Sequence, residues 1–347
     1  MRLRRHTLSN LRSTEVADTM GQTPFDVLSK AAQGFVASSC VYAVAHARIA
    51  DALGDTPKSA QDLAAATGTH PGALARILRV LCGEGIFEVR DHGYVHTPAS
   101  RLLRQDHPQS VRGYVLSVMH IFWEPFTKID YSLRTGRPAF NEFHPDGFFQ
   151  YLNDHPDKAR IFDDAMTGKA QGQIAGAVAN YDFSRFGRIA DIGGGRGHLL
   201  QAVLKATPNA KGILFDLPHV VEAAKAAASD RLKLQGGDFF KDEMPVADAY
   251  MIMQVIHDWA DEDATRILTG IRRAAPPDAK LLLIELLVPE TPERDWAKEV
   301  DLFMLVFLHS LERTRSEYQQ LLARSGFRLE SVIDIGQSTA ILEAVPI

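Results

Sequence analysis

A chain of 347 residues that is 46% hydrophobic and 23% charged is long enough to form two domains with their own cores. Its net charge of −5 at pH 7 argues against a general nucleic-acid-binding protein, which is usually basic. The two cysteines, Cys40 and Cys82, are too few for a disulfide framework. The opening residues lack the apolar core of a secretory signal, and no uninterrupted apolar run approaches ~18 residues. We therefore predict a cytoplasmic protein without a membrane partner.

The first block, which we assign to residues 25–106, is mainly helical and follows a tail at 1–24 that we expect to be flexible. Residues 35–53 are apolar on nearly every side, which predicts a helix buried in a core or against another chain. Two more helices follow, over 56–67 and from Gly72 onward, and then a hairpin that turns at Asp91 to Gly93. This order is typical of a winged-helix domain.

A winged helix raises the question of DNA binding, which the charges do not support. Between Lys58 and Gln105, six basic and four acidic residues leave a net charge of +2 (6 − 4) over 48 residues. This is a poor match to a phosphate backbone. We predict no nucleic-acid partner and a scaffolding or dimerisation role for this block.

Residues 107–180 form a helical linker that is rich in large apolar side chains. Such a concentration forms either an ordinary helical core or a pocket that accepts an aromatic ring. Together with two phenylalanines from a later helix, the candidate pocket residues are Met119, Phe122, Trp123, Phe162, Met166, Phe303 and Phe307.

From 181 to 347, apolar stretches alternate with helical patterns and predict a Rossmann-like α/β domain with a doubly wound sheet. We expect seven strands, of which the last two form a hairpin. They lie near 188–192, 211–215, 231–235, 247–254, 279–285, 328–334 and 338–344.

The most informative segment follows the first of these strands. A D-x-G-x-G-x-G pattern begins at Asp191 and includes Gly193 and Gly195, where open α/β sheets bind nucleosides. A dinucleotide-binding loop would need G-x-G-x-x-G, but its third glycine would fall on His198 or Leu200. The pattern instead resembles the loop of class I S-adenosylmethionine methyltransferases, whose ligand carries no pyrophosphate for the carboxylate to repel.

Two further carboxylates follow the next strands. Asp216 ends the second strand, 25 residues after Asp191 (216 − 191), where a carboxylate can accept hydrogen bonds from ribose hydroxyls. Asp238 follows the third strand and could receive an adenine amino group, with Phe239 packed against the base. Each aspartate alone is more often a cap or turn former, but their order and spacing favour a nucleoside site.

A histidine follows the fourth strand. The buried run at 249–256 delivers His257 to the crevice where the nucleoside would lie. An imidazole titrates near neutral pH and can take a proton from a phenol or alcohol during methyl transfer. Glu285 and Glu312 are candidates to bind its other ring nitrogen, whereas Asp258 is expected to point elsewhere. We predict no metal at this site.

Taken together, these segments resemble the plant caffeate/hydroxyindole-type small-molecule O-methyltransferases and their bacterial natural-product relatives. The similarity extends from about Leu28 to Val345. It is carried by L-A-R-I-L-R-V-L from Leu74, A-D-I-G-G-G-R-G from Ala190, F-D-L-P-H-V from Phe215, G-D-F-F from Gly237, H-D-W-A-D from His257 and E-R-T from Glu312. The resemblance implies a homodimer, S-adenosylmethionine as cofactor, and SN2 transfer of its methyl group to a hydroxyl of a small aromatic metabolite.

The resemblance also assigns residues. It implies that His257 is the base, oriented by Glu285 and Glu312, and that Gly193, Asp216, Leu217, Asp238 and Phe239 contact the cofactor. Met253 stands where many relatives have lysine, so the cofactor carboxylate must be bound elsewhere, by Arg196 or by main chain. His309-Ser-Leu precedes Glu312 where relatives often have Gly-Gly-Lys. An alternative function from another class is a catalytically silent, cofactor-binding dimer that acts as a sensor or scaffold.

Overall fold

The computed structural model describes residues 23–347, apart from the side chains at 164, 167 and 168. Residues 1–22, which make up nearly all of the predicted flexible tail, lie outside the described part of the chain. The chain divides into two compact units between Arg104 and Gln105, and the second unit includes both the helices of 107–180 and the sheet.

The first unit consists of helices and one hairpin. Its elements are α1 (Pro24–Ala32), α2 (Gly34–His46), α3 (Ile49–Leu53), α4 (Ala60–Thr67), α5 (Pro71–Gly83), β1 (Phe87–Arg90), β2 (Gly93–His96) and α6 (Pro98–Arg101). The predicted hairpin is confirmed, with Asp91 and His92 at positive φ in its turn. The single helix expected over 35–53 is wrong, because Arg48 adopts a φ of 58° and separates α2 from α3.

Helices α1 and α2 leave an apolar surface uncovered in this unit. Phe25, Leu28 and Phe35 are 76%, 72% and 52% exposed, and in α2 the buried residues are Val44 and Ala45. By length and composition alone, the stretch Pro24–His46 is also apolar enough to cross a membrane, which is weak evidence for a span. A surface of this kind marks an interaction site.

The second unit begins with helices that lead into the sheet. They are α7 (Arg112–Ser117), a π-helix at Val118–Phe122, α8 (Trp123–Phe126), α9 (Ile129–Thr135), a 3₁₀ turn at Ala139–Glu142, α10 (Phe148–Asp154) and α11 (Pro156–Asn180). The rest of the unit alternates strands and helices: β3 (Arg188–Ile192), α12 (His198–Ala206), β4 (Lys211–Asp216), α13 (Pro218–Ala223), β5 (Leu232–Gly236), β6 (Ala249–Met253), α14 (Asp261–Ala274), β7 (Lys280–Val288), α15 (Trp296–Phe307), β8 (Arg313–Thr314), α16 (Arg315–Arg324), β9 (Phe327–Gly336) and β10 (Thr339–Pro346).

The strands form a mixed sheet in the order β5-β4-β3-β6-β7-β10-β9. The five strands from β5 to β7 are parallel, and β10 runs antiparallel between β7 and β9. All seven predicted strands are confirmed. The two-residue strand β8, which pairs with the end of β7, is too short to give a hydrophobic pattern.

Apolar side chains cover both faces of the sheet. One cluster joins the strands to α14 and α16 through residues such as Ile267 and Leu321, and the other joins them to α11 and α12 through residues such as Ala177 and Val203. Because the parallel strands all end at one edge, the segments that follow β3, β4, β5, β6 and β7 meet there.

Candidate active site

The turn after β3 is built for close approach to the main chain. Gly193, Gly195 and Gly197 have φ values of 69°, 57° and 73°, in the left-handed region that favours glycine. A Cβ added at Gly194 would lie 2.5 Å from the Asp191 carboxyl, whereas one at Gly195 would meet nothing within 4 Å. The turn is therefore packed against the sheet on one side and open on the other.

Asp191 supplies a buried carboxyl group behind this turn. It is 1% exposed, and its Oδ2 has no hydrogen-bond partner among the described residues. Burial raises the pKa of Asp191 to about 7, and the nearby charge of Asp216 adds to this rise, while the N–H of Leu200 opposes it. An unpaired buried carboxyl beside a bare glycine turn fits a ligand that carries an ammonium group.

Asp216 links the end of β4 to the same turn. Its Oδ2 accepts a hydrogen bond from the N–H of Gly195 at 2.8 Å, and its Oδ1 accepts one from the N–H of Leu217 at 2.7 Å. Each carboxylate oxygen can accept a second bond, so the group can still bind ribose hydroxyls. The side chain of Leu217 is exposed beside it.

Asp238 and Phe239 follow β5. The Asp238 carboxylate accepts hydrogen bonds from the N–H of Phe240 at 2.9 Å and from Nζ of Lys241 at 2.6 Å. Phe239 packs edge-to-face against Phe240 and Trp259. The sequence analysis did not predict Lys241 as a partner of Asp238. An adenine amino group bound here would share the Asp238 carboxylate with Lys241.

His257 lies in a 3₁₀ turn, Ile256–Asp258, directly after β6, and is 8% exposed. Its Nδ1 is 2.7 Å from Oε1 of Glu312. A carboxylate can only accept, so in the neutral form of the imidazole Nδ1 carries the proton and Nε2 has the lone pair. The N–H of Glu312 donates to Asp301, which holds the glutamate in place.

Glu285 is fully buried in β7, one residue beyond the last pair with β6, and its hydrogen bonds go to the turn and not to the imidazole. Oε1 accepts from the N–H groups of Val255 and Ile256 at 3.2 and 2.9 Å, and Oε2 accepts from the Gln254 amide at 3.1 Å. Glu285 therefore holds the turn that carries His257. Of the two candidates for the ring nitrogen, Glu312 is the one that lies at Nδ1.

The potential ligand atoms of His257, Glu285 and Glu312 lie within 4.8 Å of one another, close enough to hold a cation. The hydrogen bonds described above already account for the orientation of each group. The absence of a metal stays a prediction.

The two acidic neighbours change the acid–base behaviour of His257. Burial lowers its pKa, but the charges of Glu285 and Glu312 and the bond to Glu312 outweigh burial and raise the pKa to about 9. Burial raises the pKa of Glu285 to about 7, partly opposed by the charge of His257. At neutral pH, which lies below the pKa of His257, the imidazole is therefore mostly protonated on both ring nitrogens.

Asp258 corrects one expectation. It was expected to point away from His257, yet its Oδ1 lies 3.5 Å from Nε2. In the 3₁₀ turn, successive side chains are about 120° apart instead of on opposite faces as in a strand, so neighbours can approach the same space.

Arg313 is a site residue that sequence reasoning missed. It is 1% exposed, and it donates to the carbonyl oxygens of Ile256 and Trp259 and to the carboxylate of Asp261. These bonds join β8 to the loop on both sides of His257. Its position beside Glu312 in the E-R-T motif is the sequence feature that could have identified it.

A cavity of about 650 Å³ opens next to Asp258. Its walls include Phe148, Phe307 and His309, and polar groups such as Arg137. Asp258, whose Oδ1 lies 3.5 Å from Nε2 of His257, thus also lines this cavity, and His257 itself is not one of the residues that line it.

One of the predicted pocket residues lines this cavity, and Phe122, Phe162 and Phe303 pack in the neighbouring helical core. Phe122 lies edge-to-face against Phe303 and Phe307, with ring centroids 5.1 and 5.4 Å apart, and Phe162 packs against Phe148. Of the seven, Phe307 lines the cavity; the others are Met119 and Phe122 in the π-helix, Trp123 at the start of α8, Phe162 and Met166 on α11, and Phe303 on α15.

Comparison with known proteins gives a consistent family. Residues 126–328 match the model of an O-methyltransferase domain, and residues 29–106 match that of an O-methyltransferase dimerisation domain. The chain is 38% identical over 328 residues to phenazine O-methyltransferase PhzM of Lysobacter antibioticus, covering 92% of this chain and 96% of that protein. It is 39% identical over 319 residues to 8-amino-8-demethylriboflavin N,N-dimethyltransferase of Streptomyces davaonensis, covering 87% and 90%.

The fold agrees with these matches. The SAH-bound structure of CalO1, a methyltransferase in calicheamicin biosynthesis, superposes with a TM-score of 0.85 at 32% identity, over 92% of this chain and 97% of that one. With a glycine turn, an unpaired buried carboxyl and a buried histidine–glutamate pair along one sheet edge, the chain belongs to the family of S-adenosylmethionine-dependent O-methyltransferases that carry an N-terminal dimerisation domain.

Proposed function

We propose that this enzyme transfers a methyl group by SN2 displacement to a hydroxyl of a small phenolic or heteroaromatic metabolite, with His257 as general base. The observation that carries this proposal is the 2.7 Å bond between Nδ1 of His257 and Glu312 in a buried site. That bond leaves Nε2 to accept the proton of the acceptor.

The cofactor would be held by the edge that follows β3, β4 and β5. Asp191 and the glycines at 193 and 195 would bind the amino-acid part, Asp216 and Leu217 the ribose, and Asp238 and Phe239 the adenine. When bound, S-adenosylmethionine supplies an electrophilic methyl group on a sulfonium sulfur. The chain's own contribution is to hold this ligand against bare main chain.

The chain's residues then manage one proton. Nε2 of His257 would take the hydroxyl proton as the acceptor oxygen gains the methyl group that the cofactor supplies, and Glu312 would stabilise the charge on the ring. Because the pKa of His257 is raised to about 9, the neutral base becomes more abundant as pH rises toward that value. We therefore expect kcat to increase with pH across the neutral range.

The acceptor would enter by the cavity next to Asp258. Its aromatic wall at Phe148 and Phe307 suits a flat ring, and a volume of about 650 Å³ accommodates a small polycyclic molecule. The seven pocket residues predicted from the sequence remain proposed contacts, with Phe307 the best supported since it lines this space.

A screen for turnover tests the proposal. The purified protein is incubated with methyl-labelled S-adenosylmethionine and a panel of phenols and hydroxylated heteroaromatics, and products are analysed by mass spectrometry. We expect at least one labelled methyl ether. Tight binding of S-adenosylhomocysteine without any labelled product across the panel would instead favour the silent sensor or scaffold.

Nitrogen methylation is a second candidate, favoured by the 39% identity to a dimethyltransferase of an aromatic amine. An acceptor that carries both an amino and a hydroxyl group, such as an aminophenol, separates the two activities. We expect the oxygen product, because His257 is placed to remove a proton from an acidic O–H. NMR of the product identifies the methylated atom.

The enzyme is further proposed to be a cytoplasmic homodimer, formed through the exposed apolar surface of α1 and α2. Residues 29–106 match a dimerisation domain, and Phe25, Leu28 and Phe35 are among the apolar side chains left uncovered. Light scattering coupled to gel filtration should give the dimer mass for the wild type. The double variant Leu28→Asp/Phe35→Asp should shift the mass toward the monomer.

A further inference from the structure

A half-buried lysine outside the predicted site approaches the segment that carries His257. Lys169, on α11, places its Nζ 2.7 Å from Oε1 of Gln254 and 5.6 Å from the centre of the Trp296 ring. Burial lowers the pKa of Lys169, while the charges of Glu312, Glu285 and Asp258 oppose this effect. A half-buried ammonium held between an indole face and an amide oxygen is a specific arrangement and not a solvated surface lysine.

Gln254 connects this lysine to the catalytic turn. Its side-chain nitrogen donates to Oε2 of Glu285 at 3.1 Å, and Oε1 of Glu285 accepts the main-chain N–H groups of Val255 and Ile256. A continuous chain of hydrogen bonds therefore leads from the Lys169 ammonium to the two residues before His257.

The backbone of Gln254 gives a reason for this chain of bonds. Its φ of 53° lies in the left-handed region, which is unfavourable for a non-glycine residue. Such a conformation persists only when the surroundings determine it. Here both polar atoms of the Gln254 amide are hydrogen-bonded, Oε1 to Lys169 and Nε2 to Glu285.

We propose that Lys169 is a positioning residue for the methyl-transfer reaction: through Gln254 and Glu285 it holds the 254–257 turn in the conformation that directs Nε2 of His257 toward the acceptor. This inference rests on the proposed function. Lys169 acts through its neighbours and is not itself the base.

The charge of Lys169 gives a second, separable effect. Three carboxylates act on its charge: Asp258 after β6, Glu285 on β7 and Glu312 before β8, the last of which lies 2.7 Å from Nδ1 of His257. Removal of a cation from beside these three carboxylates favours protonation of the imidazole that they surround. Loss of the lysine charge should therefore make His257 more basic, and the rise of kcat should move to higher pH.

Three variants separate position from charge. Lys169→Met removes both the hydrogen bond and the charge, and should lower kcat by up to about 100-fold, as expected for a displaced catalytic group, with the rise of kcat moved to higher pH. Lys169→Arg keeps a charged donor and should retain most of kcat. Gln254→Asn tolerates a left-handed backbone but is too short to bridge, so it should lower kcat without moving the pH profile.

Lys205→Met, at an exposed position in the last turn of α12, is the matched control and should behave as wild type. Circular dichroism monitors folding, and calorimetry gives the affinity for S-adenosylhomocysteine. If Lys169→Met leaves kcat and its pH profile unchanged, or weakens only cofactor binding, the inference is wrong. If Lys169→Met fails to fold, Lys169→Arg and Gln254→Asn carry the test, and a normal kcat in Gln254→Asn overturns the inference.

A readout independent of turnover keeps the inference distinct from the proposed function. The imidazole signals of His257, identified by their loss in His257→Ala, can be titrated by NMR. In Lys169→Met they should titrate at higher pH than in the wild type. A wild type that methylates nothing would contradict the proposed function, whereas an unmoved titration would contradict this inference.

Discussion

The sheet edge at the carboxyl ends of the parallel strands has two halves that differ in the groups they present. After β3 and β4 the edge consists of bare main chain, positive-φ glycines and a carboxylate that binds only N–H groups. After β6 and β7 it consists of buried charged side chains, contributed by several elements. In the proposed mechanism, the open half binds the cofactor and the half built from buried, hydrogen-bonded side chains, here called the closed half, holds the proton acceptor. Binding and chemistry should therefore be separable by mutation.

The largest effect is expected in the closed half. His257→Ala should lower kcat on a phenolic acceptor by roughly 10²–10⁴-fold, because it removes the general base. The affinity for S-adenosylhomocysteine, measured by calorimetry, should be unchanged. A parallel loss of that affinity would show that the two halves are not independent.

In the open half, a smaller effect is expected, on cofactor affinity and not on kcat. Asp216→Ala should weaken S-adenosylhomocysteine binding by roughly 10- to 100-fold, as expected for lost hydrogen bonds to a charged group. At saturating cofactor, kcat should stay close to wild type. Asp278→Ala, an exposed aspartate before β7, is the control. Normal calorimetric affinity in Asp216→Ala would contradict the ribose assignment.

Glu312→Gln alters the closed half without removing the imidazole of His257. The charge of Glu312 and its bond to Nδ1 raise the pKa of His257, so the neutral amide should lower that pKa. The neutral imidazole is then present at lower pH, so the rise of kcat should begin at lower pH than in the wild type. The plateau of kcat should be roughly tenfold lower, because the imidazolium loses its partner. A profile of kcat against pH for both proteins tests this, and a rise that stays near pH 9 would disprove the pairing.

The smallest effect concerns the backbone of the open half. Gly195 has space for a Cβ, but its φ of 57° should make Gly195→Ala cost roughly 1–2 kcal/mol of unfolding free energy. Denaturant unfolding measures this cost. A loss below the error of the measurement would mean that the turn relaxes without penalty.

The same comparison explains what could be predicted from the sequence. The glycine turn and Asp216 lie in short contiguous motifs, so strand order alone brings them together. The closed half depends on contacts between distant segments, such as Lys169 with Gln254, 85 residues apart. Neither the positive φ of Gln254 nor the direction of Asp258 has a local pattern that reveals it.

The helical region shows a second limit. Its aromatic residues were recognised from composition, but composition does not tell whether rings fill one another's space or line an opening. Phe122 and Phe303 pack against each other, whereas Phe307 also borders the cavity. That distinction depends on helix packing at the level of single side chains.

The central claim is that His257 acts as a base and not only as a positioning group. Single-turnover methyl transfer in His257→Ala should be compared between a phenol that is protonated at the assay pH and a nitrophenol of similar size that is already ionised. The account predicts a loss of roughly 10²–10⁴-fold with the protonated phenol and a rate near wild type with the ionised one. An equal loss with both acceptors would contradict it.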